Sequence, residues 1–288
     1  MDAETHTILT RPPPQSGIRP IAKPALNKWI QLHLPAWRPY AIGLLALIGL
    51  IGIWDFLTVD QVNVYLRFFN LPTPAQVLRE AELSFSNATF ITDIFISCRR
   101  ILAGFSIAAM VAVPLGILMG RFRIIKEIAF PISEVLRPIP AIAWVPMSIM
   151  IWPTTEESIV FITFLGSLFP ILVNTLHGMA VLDPVLVRAA RCLGASEKSM
   201  FLEIYLPGTL PHIFTGFTVG MGVAWVSLIA AEMIAGQYGI GYFTWEAYSL
   251  IQYSDIALGM ITIGVLGLLF SGIIILIGRL VMPWATRR

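Results

Sequence analysis

The side chains that could act on a solute or a partner fall in two places. The first runs from Asp183 to Pro207. Asp183 is a helix N-cap followed by Pro184 at the first helical position. Val185, Leu186, Ala189, Ala190 and Leu193 then share one helical face. Gly194 supplies the stop, because a sharp turn there needs a residue free at positive φ. Ser196 caps a second short helix with Glu197 in its first turn. Met200, Phe201, Ile204 and Tyr205 form its apolar face, and Leu206-Pro207 reads as its end. Two short amphipathic helices on a glycine hinge offer a rigid apolar surface. Either a docking partner or the chain's own helix ends can cover it.

The second place is a set of polar groups inside apolar runs. Arg99 and Arg100 interrupt a helix that reads back to Ala88, and Arg137 stands beside Pro138-Ile139-Pro140. A small anion crossing a bilayer needs polar partners at depth, which makes Arg99, Arg100, Arg137 and Asn174 candidates for a substrate path. The bland readings stand beside it. Arg99 and Arg100 can snorkel to an interface or pair with Asp93, and Arg137 can meet headgroups. Ser148, Thr163, Ser167, Asn174 and Ser227 can line a pore or hydrogen-bond helix to helix. Glu232 reads as a gate, a dimer contact or a solvated group.

Other chemistry is poorly provided for. The four histidines, His6, His33, His177 and His212, have no ligand spacing, so no metal site is expected. No Ser/His or His/Glu constellation stands ready for an enzyme. The sequence has no Gly-x-x-x-x-Gly-Lys-Ser/Thr loop and no Gly-Lys pair, so it cannot hold ATP by that chemistry. Cys98 and Cys192 are far apart, which argues against a disulfide.

What must position these groups is a membrane. Hydrophobic residues make up 57% of the 288 residues and charged ones 12%, against roughly 25% charged in soluble domains. Mean hydropathy is +0.79. The net charge of +2 gives no sign of a nucleic-acid partner. Six spans are expected, near 40–57, 101–120 (its helix starting as early as Ala88), a proline-broken run ending at Trp152, 158–174, 213–231 and 256–278. Thr73-Pro74 marks a further helix start.

The chain therefore divides into four stretches. Residues 1–36 form a basic, Pro-rich cytoplasmic tail and an interfacial helix whose apolar pattern, with Trp29, runs on to Trp37, and 37–58 the first span. Residues 59–87 form an external connection, and 88–282 a core with the helical loop at 181–211. No cleavable signal peptide is read in the polar N-terminus. With the N-terminus in the cytoplasm, fifteen of the nineteen basic residues fall on the inner side. The exceptions are Arg67, Arg79, Arg99 and Arg100. Both termini are then cytoplasmic.

Arg188-Ala189-Ala190-x-x-x-Gly194, then nine residues and Ile204-x-Leu206-Pro207, resembles the coupling loop of ABC importer permeases. The family pattern is Glu-Ala-Ala-x-x-x-Gly, nine residues, Ile-x-Leu-Pro. Arg188 replaces its glutamate, so a salt-bridge role for that glutamate does not carry over. Ser97 to Phe105, Val113-Pro114-Leu115-Gly116, Leu136 to Pro146, Phe169 to Gly178, Ala230 to Met233 and Gly239 to Tyr242 resemble further family blocks, in order. They cover roughly residues 90–280 and are most similar to the branch importing nitrate, bicarbonate, taurine and other alkanesulfonates.

The resemblance implies an all-α, polytopic fold in the type I ABC importer permease arrangement, in a bacterial inner membrane. It implies a two-subunit pore, usually a homodimer, and two separate ATPase subunits that bind ATP and Mg; this chain itself needs no cofactor. An external solute-binding protein delivers the substrate. Arg188, Ala189, Ala190, Gly194, Phe201, Ile204, Leu206 and Pro207 would form the ATPase-docking loop. Nitrate or bicarbonate is expected ahead of taurine or alkanesulfonates. An ATP-independent secondary transporter is the rival, since broken helices fit it too, but few ionisable groups lie mid-span to couple a proton or sodium.

Overall fold

The computed structural model describes residues 38–59 and 70–284, and these contain helices and no strand. The interfacial helix expected before Trp37 lies outside them, as does Arg67. Residues up to Ile53 form one unit and those from Trp54 another.

The first helix, α1 (Arg38–Val59), is apolar all round, and Leu45, Leu50 and Ile53 are exposed. Such a helix has no soluble setting and fits lipid. In the second unit, α2 (Pro74–Phe85) begins at Thr73, whose hydroxyl accepts from the Gln76 amide while the Gln76 side chain accepts from the Thr73 amide. The indole N–H of Trp54 donates to the Pro72 carbonyl at 3.0 Å.

Three long helices form the centre: α3 (Ala88–Arg121), α6 (Thr155–Val181) and α9 (Leu206–Ala235). Their starts are encoded locally. Asn87 accepts from the Thr89 amide at 3.0 Å, and Thr154 makes a capping box with Glu157. They pack closely because small residues lie at the crossings. At Gly104 an added Cβ would stand 2.7 Å from Thr163 Cβ, so only glycine lets α3 approach α6 there. Ile101, Ile159, Ile162, Met221, Ala224 and Leu228 fill one part of the core, and Ala108, Ala112, Met119, Ile171 and Leu172 the next.

The third span is broken, as its prolines require. Helix α4 (Arg123–Leu136) runs back along α3, with Ile125 and Ala129 against the Ala108–Ala112 cluster. A 3-10 turn (Ala141–Trp144) and α5 (Val145–Ile151) follow. The two parts meet at 87°. Counting the pair as one span gives six, with α11 (Tyr253–Val281) the last.

Two expectations need correction. Leu206-Pro207 does not end the second loop helix. The loop is α7 (Pro184–Cys192) and α8 (Glu197–Met200), and a π turn over Phe201–Tyr205 carries α8 straight into α9. The Leu206 amide bonds to the Phe201 carbonyl five residues back. This wider turn accommodates Pro207, which has no N–H and whose ring would crowd an α-helical turn. The stretch 232–255, left between the expected spans 213–231 and 256–278 with no helix of its own, contains α10 (Ile240–Ser249).

Candidate functional site

The α7–α8 hairpin is held by its own caps. Asp183 Oδ1 accepts from the Val185 amide at 2.7 Å, and Ser196 Oγ from the Ser199 amide at 3.2 Å. Between them Gly194 adopts φ +80°. The Gly194 amide bonds to the Arg191 carbonyl, and the Ala195 amide reaches back to the Ala190 carbonyl at 3.0 Å. The hinge is thus rigid.

Its two helices face different ways. On α7, Val185, Leu186, Arg188, Ala189 and Leu193 are exposed, Leu193 to 88%, while Ala190 is half-buried. Met200 in α8 is 1% exposed and packs with Tyr205, Met179, Ile117 and Ile213. Ile204, Leu206 and Pro207 are half-buried, and Phe201 keeps an exposed edge. The alternatives of partner and own helix ends therefore divide: α7 offers a bare apolar row, and α8 roots the hairpin. Arg121, at the end of α3, ties the root down. Its Nη2 donates to Glu197 Oε2 at 2.7 Å, and its guanidinium lies over the Tyr205 ring at 5.8 Å.

The break between α4 and α5 opens a cavity of about 340 Å³ against α6 and α9. Arg137, Pro140, Gly166, Pro170, Asn174 and Val219 are among its lining residues. Arg137 and Asn174, far apart in sequence, thus line one cavity beside α6 and α9. Arg137 is the one charged residue in the lining. Its Nη2 makes a 3.2 Å pair with Glu134. Asn174 donates to the Pro170 carbonyl at 2.8 Å.

Arg99 and Arg100 are at the other end of α3 from the hairpin, with carboxylates around them. Arg100, 2% exposed, donates through Nη1 to Glu232 Oε1 at 2.9 Å and to the Tyr238 carbonyl at 2.7 Å. Its Nε donates to Glu156 Oε2 at 3.1 Å, and its Nη2 to Glu156 Oε1. Arg99, mostly exposed, pairs with the same Glu156 at 2.9 Å. Glu232 is not solvated; its side chain is 0% exposed. It accepts from Ser97 Oγ at 2.8 Å and from the Gly241 amide at 2.9 Å. Asp93, the partner expected for the arginines, instead accepts from the Gly239 amide at 2.7 Å. A network buried at Arg100 and Glu232 and open at Glu156 and Arg99 therefore ties α3, α6 and α9 to the start of α10.

Residues 112–287 match the model of a family described as the binding-protein-dependent transport system inner membrane component. The chain belongs to this family. It is 35% identical over 247 residues to the nitrate import permease protein NrtB of Synechocystis, covering 83% of this chain and 88% of that one. The NrtB of Synechococcus elongatus is 29% identical over 290 residues, covering 96% and 99%. The bicarbonate transport system permease protein CmpB of Synechococcus elongatus is 33% identical over 251 residues, covering 83% and 89%.

This permease is accordingly a multi-pass inner-membrane transport subunit of a binding-protein-dependent importer. The matched stretch contains the hairpin and all the lining residues named above for the cavity. Ser148, Thr163, Ser167 and Ser227 are buried within the permease, and each donates to a carbonyl three or four residues back. Ser148 and Ser158 also bond across the turn at 2.6 Å. Sequence reasoning missed Glu156 and Ser97 as partners of Arg100 and Glu232. The one hint was that buried arginines in so apolar a chain require acids.

Proposed function

We propose that the chain is the membrane pathway of an ATP-driven importer for nitrate or bicarbonate, working as a homodimer with two separate ATPase subunits. Substrate arrives from an external binding protein. The hairpin end, with both termini, faces the cytoplasm, where α7 seats in a groove of the ATPase. The observation that carries this reading is the bare row Val185, Leu186, Ala189 and Leu193 on a hinge fixed by Gly194. A soluble face of that kind calls for a partner. Because α8 continues into α9, a push on the hairpin reaches the spans directly.

The substrate path runs through the Arg137–Asn174 cavity. Nitrate and bicarbonate are small, singly charged oxyanions, and the relatives that carry their names match 96% and 83% of this chain. One arginine in an otherwise uncharged lining suits such a charge. Arg137 is exposed at the cavity, which leaves room for a second copy to close it. Arg99 and Arg100 stand outside this path, at an entrance where carboxylates balance them. Taurine and alkanesulfonates remain the second substrate reading, to be tried in the same assay.

Uptake of labelled nitrate, bicarbonate and taurine in cells lacking the chain, with and without its return, tests the substrate. An Arg137→Gln version present in the membrane at the normal level should restore little of the affected uptake. Full restoration would remove the cavity from the path.

A further inference from the structure

The stripe of residues lining the Arg137 cavity does not stop at Asn174. On α6, Gly166, Pro170, Val173 and Asn174 line it. His177 follows Pro170 by seven residues and so lies on the same face, about two turns nearer the hairpin. On α9, Val223 and Val219 line the cavity, and His212 precedes Val219 by seven residues. The two histidines meet edge to face, with ring centroids 5.2 Å apart and planes at 83°.

Their register is fixed by close helix contact. A Cβ added at Gly178 would stand 2.7 Å from His212 Cβ, and one added at Gly216 would stand 2.9 Å from Asn174 Cβ. His177 is exposed and His212 half-buried. Neither imidazole nitrogen hydrogen-bonds to another described residue. From Gly166 to Val181 and from Leu206 to Val223 the two helices carry no Asp, Glu, Lys or Arg. The pair is the only ionisable feature on either segment.

Resting on the reading of the cavity as the path, we infer that His177 and His212 form a second anion-holding point between the cavity and the hairpin end. It takes a small oxyanion through imidazole N–H groups, one from each helix. A neutral imidazole always carries one such donor, and no carboxylate on these segments competes for it. The donors sit on different helices, and α9 continues from α8. The close contacts at Gly178 and Gly216 hold the two donors at one spacing, so the point is preformed between the helices that lead into and out of the hairpin.

The test uses the complete importer with nitrate as substrate. Uptake is measured for His177→Gln, His212→Gln and the leucine versions of both, beside Arg137→Gln, each scaled to folded chain in the membrane. Glutamine keeps an N–H donor and leucine does not. The leucine versions should lose about tenfold, as expected for one hydrogen bond to a charged group, and the glutamine versions should keep most activity. His177→Ala, at the exposed position, repeats the loss if leucine at His212 prevents folding.

A second readout is Ni²⁺ added from the hairpin side, which two facing imidazoles can hold together. It should inhibit the wild type and spare His177→Leu. Normal uptake in the leucine and alanine versions, or equal Ni²⁺ inhibition throughout, overturns the histidine point. If Arg137→Gln still fails in that case, the cavity stands without it. Normal uptake in Arg137→Gln removes the path on which the inference rests.

Discussion

Arg100 and Glu232, 132 residues apart in sequence, form an ion pair at 2.9 Å with both side chains almost wholly buried. Both groups are heavily engaged, with four of the five guanidinium donors used. Glu156 and the Tyr238 carbonyl also accept from the guanidinium, and Ser97 and the Gly241 amide donate to the carboxylate. Removing one partner leaves a charge out of reach of water, which costs about 3–5 kcal/mol, whereas replacing both by apolar groups costs far less. Arg100→Leu and Glu232→Leu should each lower the Tm of the purified chain in detergent sharply. The double variant should recover part of the loss. Additive losses would mean that the pair carries no coupling.

Gly239 depends on the same network. It holds φ +112°, and a Cβ there would lie 2.5 Å from Glu232 Oε1. Gly239→Ala combines backbone strain with that collision. It should destabilise the chain by about 1–3 kcal/mol, and a thermal melt beside wild type checks it. Gly236→Ala is no substitute control, since its Cβ would meet the Glu232 backbone. Gly264→Ala, in open space, is the proper one and should change little.

The hairpin root predicts a separation of stability from transport. Arg121 and Glu197 are solvent-exposed, so their pair adds little to stability. Arg121→Ala should leave Tm nearly unchanged while lowering substrate moved per ATP hydrolysed, because α3 loses its tie to α8. An unchanged transport-to-hydrolysis ratio would show that the tie is not used.

Where the sequence was legible, the signal was local. Thr73 with Pro74, Asp183 with Pro184, and Gly194 encode helix ends within a few residues, and the ends appear there. The Thr154–Glu157 cap is as local but went unread, so that helix starts three residues before the expected Ser158. The break in the third span follows from prolines adjacent to it. The buried network was not legible, because Arg100 finds its acids 56 and 132 residues away. Asp93, nearer along the same helix, was the obvious partner and is occupied by the Gly239 amide. The run through Pro207 was misread for a related reason. Proline normally ends a helix, and only the π turn before it, formed by residues with no special signature, lets the helix continue. Arg137 and Asn174 were recognisable as polar groups in apolar runs, but their sharing one cavity depends on how α6 packs beside the broken span.

If this permease carries its anion only when an ATPase engages the bare face of α7, Leu193→Asp should abolish transport. Leu193 is 88% exposed, so the change should leave folding and membrane level intact. Nitrate and bicarbonate uptake would be measured in cells lacking the chain, restored by wild type or by Leu193→Asp. Wild type should restore one of these uptakes, and the variant, equally abundant in the membrane, should not. Full restoration by Leu193→Asp would mean that the bare face of α7 is not where the ATPase acts.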